Sequence, residues 1–476
     1  MFIRIKQKLF QCALLLMSIL RTILTIPYNR ILSIIEKLYK RKQNNLQLKE
    51  ARTLGSLERY FYFWILQFDD TFPYKITLSS KIPFTVKHIS DAISALVIQH
   101  PVLRKSFLNN GRTVKLVEIP NIVDYLEILS KKHFDSLFNT FSLNGKSWRL
   151  VMLEPDVEST HTITILIGVH HALSDYIYNR QIITSFVHNL DKLQHGMTPS
   201  SDIVFKHSKP IEEMTRDTPI REVESCYVGP TYQDKKVLTA TELLLHAVKK
   251  FGHTKSSFSS SRTLKWKLGK ETSQIFFDSR RKCKGSITSL LLTVCISSFM
   301  KLTQTCLKKD EVVNLPFVFM VNLRRYIKSE EEFRGNASID VQCYLQMTSS
   351  FTSNKQFWVT ANNISMKIRE IVESGNLLVA AKDWIDSPVA AIDFTHVGST
   401  DDFIKEKTNI CIDDLETNTN VNQEKSPIFN VNTNSVRGEL QFLISYSSSL
   451  MPDMFAQKFA DGISESIQNL ENEQPN

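Results

Sequence analysis

The chain has 476 residues, 42% of them hydrophobic and 22% charged, the make-up of a globular protein and not of a disordered one. That length holds two or three ordinary domains or one large bilobal one. The formal net charge of +9 sits in residues 1–52, where eleven Lys and Arg face two Asp and Glu; the rest carries 47 of each sign, which excludes a body built to bind nucleic acid.

Residues 2–26 are rich in Leu and Ile, yet the longest clean apolar run, Cys12–Leu20, is too short to span a bilayer and ends at Arg21. Arg4, Gln11, Ser18 and Thr25 recur every seven residues and make one narrow polar stripe on a helix that is apolar elsewhere. A second amphipathic piece, Asn29–Lys42, follows Pro27. A wide apolar face with basic residues at both ends predicts a segment lying in a membrane interface against anionic headgroups, and residues 1–50 are read as that unit. No small-residue cleavage site follows the run, as a signal peptide would require. Were the segment to span, its heavier basic flank, Arg30–Lys42, would keep the body in the cytosol. The seven cysteines are scattered, odd in number and without a CxxC pair, which fits a reducing compartment and predicts neither a disulfide framework nor a structural metal.

Along the body, Ala51–Trp64 predicts a short aromatic helix and Tyr74–Leu78 a strand. Val86–Gln99 has apolar residues at helical spacing and closes before Pro101, because proline cannot continue a helix. Strands are expected at Thr113–Glu118 and Ser147–Leu153. The next stretch, Thr160–Tyr176, begins as another: Ile163, Ile165, Ile167 and Val169 share one parity. Extending that parity places His171 on the apolar face and His170 on the opposite one. Asp175 follows His171 by four residues, where a helix from Tyr176 to Leu190 should start. A histidine facing inward at a strand end, with a carboxylate one turn later, suits general-base chemistry, since imidazole basicity lies near neutral pH and a fixed neighbour can hold its tautomer. The spacing alone has little specificity in a chain with twelve histidines.

Residues 191–262 are polar and contain Pro199, Pro210, Pro219 and Pro230, and read as a crossover linker between a lobe at 51–190 and a second at 263–476. The second lobe is expected to hold a strand at Leu264–Leu268 and a helix at Ser273–Lys282, then a helix to Leu302 that is apolar nearly all round and therefore buried. A strand at Pro316–Val321, a turn at Arg334–Ala337, a helix at Phe357–Val372, a strand at Gly438–Tyr446 and a helix at Pro452–Leu470 complete it. The acidic, Asn/Thr-rich stretch Asp401–Asn434 reads as a mobile loop.

Taken in order, these pieces resemble the fungal alcohol acetyltransferase family, within the superfamily of chloramphenicol acetyltransferase, plant acyltransferases and peptide-synthetase condensation domains. The resemblance is carried by Leu54-Gly-Ser-Leu-Glu-Arg-Tyr-Phe61, His100-Pro-Val-Leu-Arg104, Trp148-Arg-Leu-Val-Met-Leu153, His170-His-Ala-Leu-Ser-Asp175, Gly285-Ser-Ile-Thr288, Val321-Asn-Leu-Arg-Arg325, Gly335-Asn-Ala-Ser338 and His396-Val-Gly-Ser399. These run colinearly over about residues 51–470, and only the His-x-x-x-Asp motif is specific in itself.

The resemblance implies an α/β protein of two chloramphenicol-acetyltransferase-like lobes with the active-site tunnel between them, here preceded by an amphipathic membrane helix. It implies His171 as the base, with Asp175 holding the loop through an arginine, for which Arg324 and Arg104 are candidates. Ser286 or Thr288 would contact the oxyanion or coenzyme A. This sequence departs from the family pattern in Tyr176 where a glycine is usual, Asn322 where an aspartate is usual, and His396 where an asparagine is more common.

The expected activity is direct transfer of acetyl from acetyl-CoA to the hydroxyl or amine of a hydrophobic acceptor, an alcohol or a sphingoid-like amino alcohol of the kind some yeast N-acetyltransferases in this wider group acetylate. No Gly-x-Ser-x-Gly nucleophile elbow is present. The expected setting is a monomer held through residues 1–45 on the endoplasmic reticulum membrane or a lipid droplet, its body facing the cytosol. The alternative is a non-catalytic membrane-bound lipid or acyl-CoA binding protein on the same fold.

Overall fold

A computed structural model describes residues 49–470, apart from 69–70, 110–112, 120–125, 144, 156–158, 201–202, 224–225, 251, 253–259, 284–285, 329–331, 350, 352–353, 381–389, 403–407, 420 and 422–425. Residues 1–48 of the expected membrane segment lie outside the described residues.

Among the described residues the first lobe is built on a sheet ordered β13 (Ile410–Thr417), β2 (Tyr74–Thr85), β7 (Ser159–Val169), β6 (Trp148–Leu153) and β5 (Leu126–Leu129). A small sheet of β1 (Lys49–Thr53), β4 (Val114–Glu118) and β3 (Lys105–Asn109) stands beside it. Its helices are α1 (Ser56–Phe68), α2 (Val86–Gln99), α3 (Lys131–Asn139), α4 (Tyr176–Gln194) and the single turn α5 (Ile211–Met214). The second lobe carries a sheet ordered β11 (Ser338–Thr348), β10 (Glu311–Asn322), β12 (Ile392–Ser399), β14 (Phe429–Val436), β15 (Glu439–Ser447) and β9 (Ser261–Lys267), with β8 (Lys236–Thr239) beside β10. Its helices are α6 (Ala240–Lys250), α7 (Lys270–Cys283), α8 (Ile287–Thr303), α9 (Asn354–Ser374), α10 (Leu377–Ala380) and α11 (Asp453–Asn469).

Local chemistry explains the elements that frame the site. Thr85 caps α2 by accepting from His88 N (3.1 Å), and Ile89, Ala92, Ile93, Leu96 and Val97 fall on its buried face at helical spacing. Each large aliphatic side chain so buried contributes about 1.5–3 kcal/mol. Helix α8 is buried nearly all round, as its composition predicts. Ile287–Cys306 is long and apolar enough to cross a membrane, but here it is a core helix packed on α9 and α11, with Ser298 Oγ donating to Phe459 O (2.6 Å).

Several expectations change. Ala51–Trp64 is not one helix: Lys49–Thr53 pair with β4, and the helix begins at Ser56. Within residues 191–262, α6 buries Leu243, Leu244, Ala247 and Val248 in the main core, more than the short apolar pieces there suggested. The stretch 401–434 is not simply a mobile loop. Its residues Ile410–Thr417 form β13, which pairs antiparallel with β2 and so places a strand from the second half of the chain in the first lobe's sheet. Phe429–Val436 form β14, buried along its length. The asparagines that disguised it find acceptors for their amide nitrogens: Asn432 Nδ2 donates to Asn430 Oδ1 (2.7 Å), Asn430 Nδ2 to Asp393 (2.8 Å) and Asn434 Nδ2 to Leu415 O (2.9 Å).

Candidate active site

Strand β7 aims the His-x-x-x-Asp motif. Ile163, Ile165, Ile167 and Val169 face the main core, while Leu166 joins a second cluster with Phe134, Phe138 and Phe141 on the other side. Gly168 lets Phe141 lie flat against the strand: a Cβ there would stand 2.3 Å from the Phe141 ring. With both faces covered, the strand stops at Val169, and the chain turns through Leu173 N donating to His170 O (2.8 Å). Asp175 then starts α4 as its N-cap, accepting from Tyr178 N (3.1 Å).

His171 sits on that turn. Its Nδ1 is 2.9 Å from Ser174 O, and a carbonyl only accepts, so Nδ1 carries the proton and Nε2 keeps its lone pair. Phe61 of α1 tilts against the ring at 4.1 Å between centroids and Phe72 meets it edge-on at 4.9 Å. Burial holds its pKa below the usual 6.5, against the smaller opposing pulls of Ser174 O and Asp175. His171 is thus a neutral imidazole of fixed tautomer whose Nε2 has no hydrogen-bond partner among the described residues. His170 differs. The parity argument put it on the opposite face, but the chain has left the strand, and its ring is buried against Phe107 and Tyr62. Its Nδ1 accepts from Ala172 N (3.2 Å), and burial lowers its pKa to about 3.

Asp175, 2% exposed, reaches across to the second lobe. Its carboxylate takes both Arg324 guanidinium nitrogens at 2.5 and 2.9 Å and accepts from Ala337 N at 2.9 Å. Arg324 stands on the turn after β10 and also donates to Phe333 O (3.2 Å) and Gly335 O (2.9 Å). With its acceptor capacity filled this way, Asp175 holds the turn and is not presented to a reactant. Asn322 replaces an aspartate without leaving a gap: its Oδ1 accepts from Arg324 N (3.0 Å) and approaches Nη1 (3.3 Å). Tyr176 lies 6.2 Å from Tyr74, ring to ring, and His396 Nδ1 meets Thr433 Oγ1 at 2.9 Å.

The other candidates stand elsewhere. Arg104 does not reach Asp175; it caps the end of α2 through Val97 O (2.8 Å) and pairs with Glu118 (3.5 Å). Ser286 is the N-cap of α8, accepting from Ser289 N (2.9 Å), and among the described residues neither it nor Thr288 hydrogen-bonds His171. Asn336, which carried no role in the sequence reading beyond its place in Gly335-Asn-Ala-Ser338, does belong to the site. Its Nδ2 donates to His171 O at 2.7 Å. A polar side chain between Gly335 and Ala337, in a turn that must be buried between two lobes, is the signal that could have exposed it.

No family model matches this chain, and no curated protein does. Solved structures do. Polyketide synthase associated protein 5 from Mycobacterium tuberculosis superposes with a TM-score of 0.63 at 14% identity, over 90% of this chain and 100% of that one. The TRI3 trichothecene 15-O-acetyltransferase from Fusarium sporotrichioides gives 0.63 at 14%, over 88% and 95%. The epimerization domain from the third module of tyrocidine synthetase B gives 0.60 at 11%, over 90% and 98%. The fold is the two-lobed one of condensation domains and acyltransferases. At these identities the likeness extends to the fold alone. The more specific resemblance to fungal alcohol acetyltransferases has no match in these comparisons.

Proposed function

We propose that this protein is an acetyl-CoA-dependent acetyltransferase in which His171 is the general base. The observation that supports this most is the tautomer: Nδ1–H bound to Ser174 O leaves Nε2 to accept a proton, on a turn tied to the opposite lobe through Asp175 and Arg324. His171 Nε2 takes the proton of the acceptor hydroxyl as its oxygen bonds to the thioester carbonyl carbon. The C–S bond then breaks, and the imidazolium returns the proton to the departing coenzyme A sulfur. A neutral amine attacks directly and loses its proton to Nε2 afterwards. The thioester is already activated, so no covalent enzyme intermediate is required.

Phe61 and Phe72 against the imidazole favour an acceptor with an apolar body. The amphipathic sequence of residues 1–45 supports a membrane-held protein, on the endoplasmic reticulum or a lipid droplet with its body in the cytosol, which would bring such an acceptor within reach. A long-chain alcohol, giving an ester, and a sphingoid-like amino alcohol, giving an amide, both meet these requirements. The test is free-thiol release from acetyl-CoA by the full chain and its His171→Ala variant, against a panel of alcohols and long-chain amines. Release that needs both His171 and one acceptor class is expected. No release above the variant with any acceptor would favour the non-catalytic binding protein.

A further inference from the structure

The turn bearing His171 is gripped from the second lobe by Asn336, Ala337 and Arg324, the last held in turn by the Gly335 carbonyl. Gly335 gives its carbonyl to Arg324, Ala337 gives its N–H to Asp175, and Asn336 between them reaches the His171 peptide itself. Asn336 is 1% exposed and held in one orientation. Its Oδ1 accepts from Ser338 N (2.9 Å) and Ser338 Oγ (3.0 Å), while Nδ2 donates to His171 O (2.7 Å). Flipping the amide would set oxygen against oxygen at His171 and N–H against N–H at Ser338. Nδ2 also stands 3.4 Å from the imidazole Nδ1. Because Nδ1–H is already given to Ser174 O, this approach is not a second bond; it sets the positive end of an amide beside the ring.

We propose that Asn336 is a positioning residue for His171, fixing the peptide that carries the imidazole and opposing the ring's protonation. This rests on the reading of His171 as the base. The groups facing the ring are few. Asp175 and Arg324 form a closed pair, and His170 is the adjacent histidine. Among the described residues, helix α1 brings Phe61 and the segment before β2 brings Phe72 against it. Exchanging the Asn336 amide for a carboxylate therefore changes the field at the ring while leaving both members of the Asp175–Arg324 pair in place.

Two variants of the full chain separate positioning from mere structure. Asn336→Asp keeps the size and the acceptor for Ser338 but puts a negative oxygen where the donor was. A nearby opposite charge favours the imidazolium, so the acid limb of kcat/KM is expected to move up by about one pH unit or more. The His171 titration, followed by NMR of histidine-labelled protein and assigned with His171→Ala, should move with it. Asn336→Ala should lower kcat roughly tenfold, with KM for acetyl-CoA within about twofold and no upward shift of the limb. If Asn336→Asp does not fold, Asn336→Ala and the partial rescue expected of Asn336→Gln carry the test. Acid limbs and kcat of the folded variants indistinguishable from wild type, while His171→Ala abolishes thiol release, would overturn the positioning role alone. Thiol release by wild type that survives His171→Ala would overturn the base assignment and this inference together.

Discussion

Replacing Arg324 with Met puts the heaviest load on the described geometry. Asp175 is 2% exposed and accepts from four donors, two of them Arg324 nitrogens. After the exchange only Ala337 N and Tyr178 N remain, beside a buried carboxylate without its counter-charge. Removing one partner of such a pair costs about 3–5 kcal/mol. The reverse change, Asp175→Asn, should cost less, about 1–3 kcal/mol, because the Arg324 side chain is 14% exposed and keeps the Phe333 and Gly335 carbonyls. Arg324→Lys should fall between them, since an ammonium keeps the charge but not the two-pronged contact. Urea unfolding followed by tryptophan fluorescence, with the m-value checked for constancy, measures all three and the double variant. An Arg324→Met penalty below about 1 kcal/mol, or one smaller than that of Asp175→Asn, would refute the claim that this pair ties the lobes together.

Gly168→Ala should destabilise by about 1–3 kcal/mol, because its Cβ would lie 2.3 Å from Phe141, and Phe141→Leu should relieve part of that; the thermal midpoints of single and double variants decide. Stability should fall as pH drops below 6.5. Burial lowers His100 and His170 to about 3 and His396 to about 4, so the unfolded chain binds protons that the folded one refuses across that window. Each such histidine contributes about 1.4 kcal/mol per pH unit, while Asp393, raised to about 6 by burial, acts with the opposite sign and offsets one of them. A urea midpoint that stays flat from pH 6.5 to pH 5 would contradict this. The lowered pKa of His171 likewise puts the acid limb of kcat/KM below pH 6.5. Deleting residues 1–45 should free the body from liposomes containing anionic lipid while thiol release continues, and a truncated chain that still floats with them would locate the attachment elsewhere.

The legible parts of this sequence were those whose apolar residues recur with a regular period or fill a whole helix. Val86–Gln99 and the strand before His171 declare themselves through their side-chain period, and Arg324 was one of two arginines that the family resemblance offered as partner for Asp175. Strand β14 was hidden because its own residues are polar: Asn430, Asn432 and Asn434 look like loop residues until Asp393 and the Leu415 carbonyl are placed beside them. His170 was misplaced because alternation was carried two residues beyond the strand's end. Arg104 and Arg324 were both candidates, and the fold separates them: β10 pairs β11 with Asn322 opposite Ser338 and Arg324 reaches Asp175, while Arg104 stays with Val97 O and Glu118.

Strand β13 also bears on how the protein is made. The edge of β2 that it covers is synthesised early, yet residues 410–417 leave the ribosome roughly three hundred residues later, tens of seconds at about 5–20 residues per second. Through that interval the nascent first lobe offers an unpaired strand edge, the kind of template that recruits other chains. A nascent chain stalled before Ile410 should need a chaperone to stay soluble, and the two lobes produced as separate polypeptides divided at residue 262 should complement only when mixed during folding.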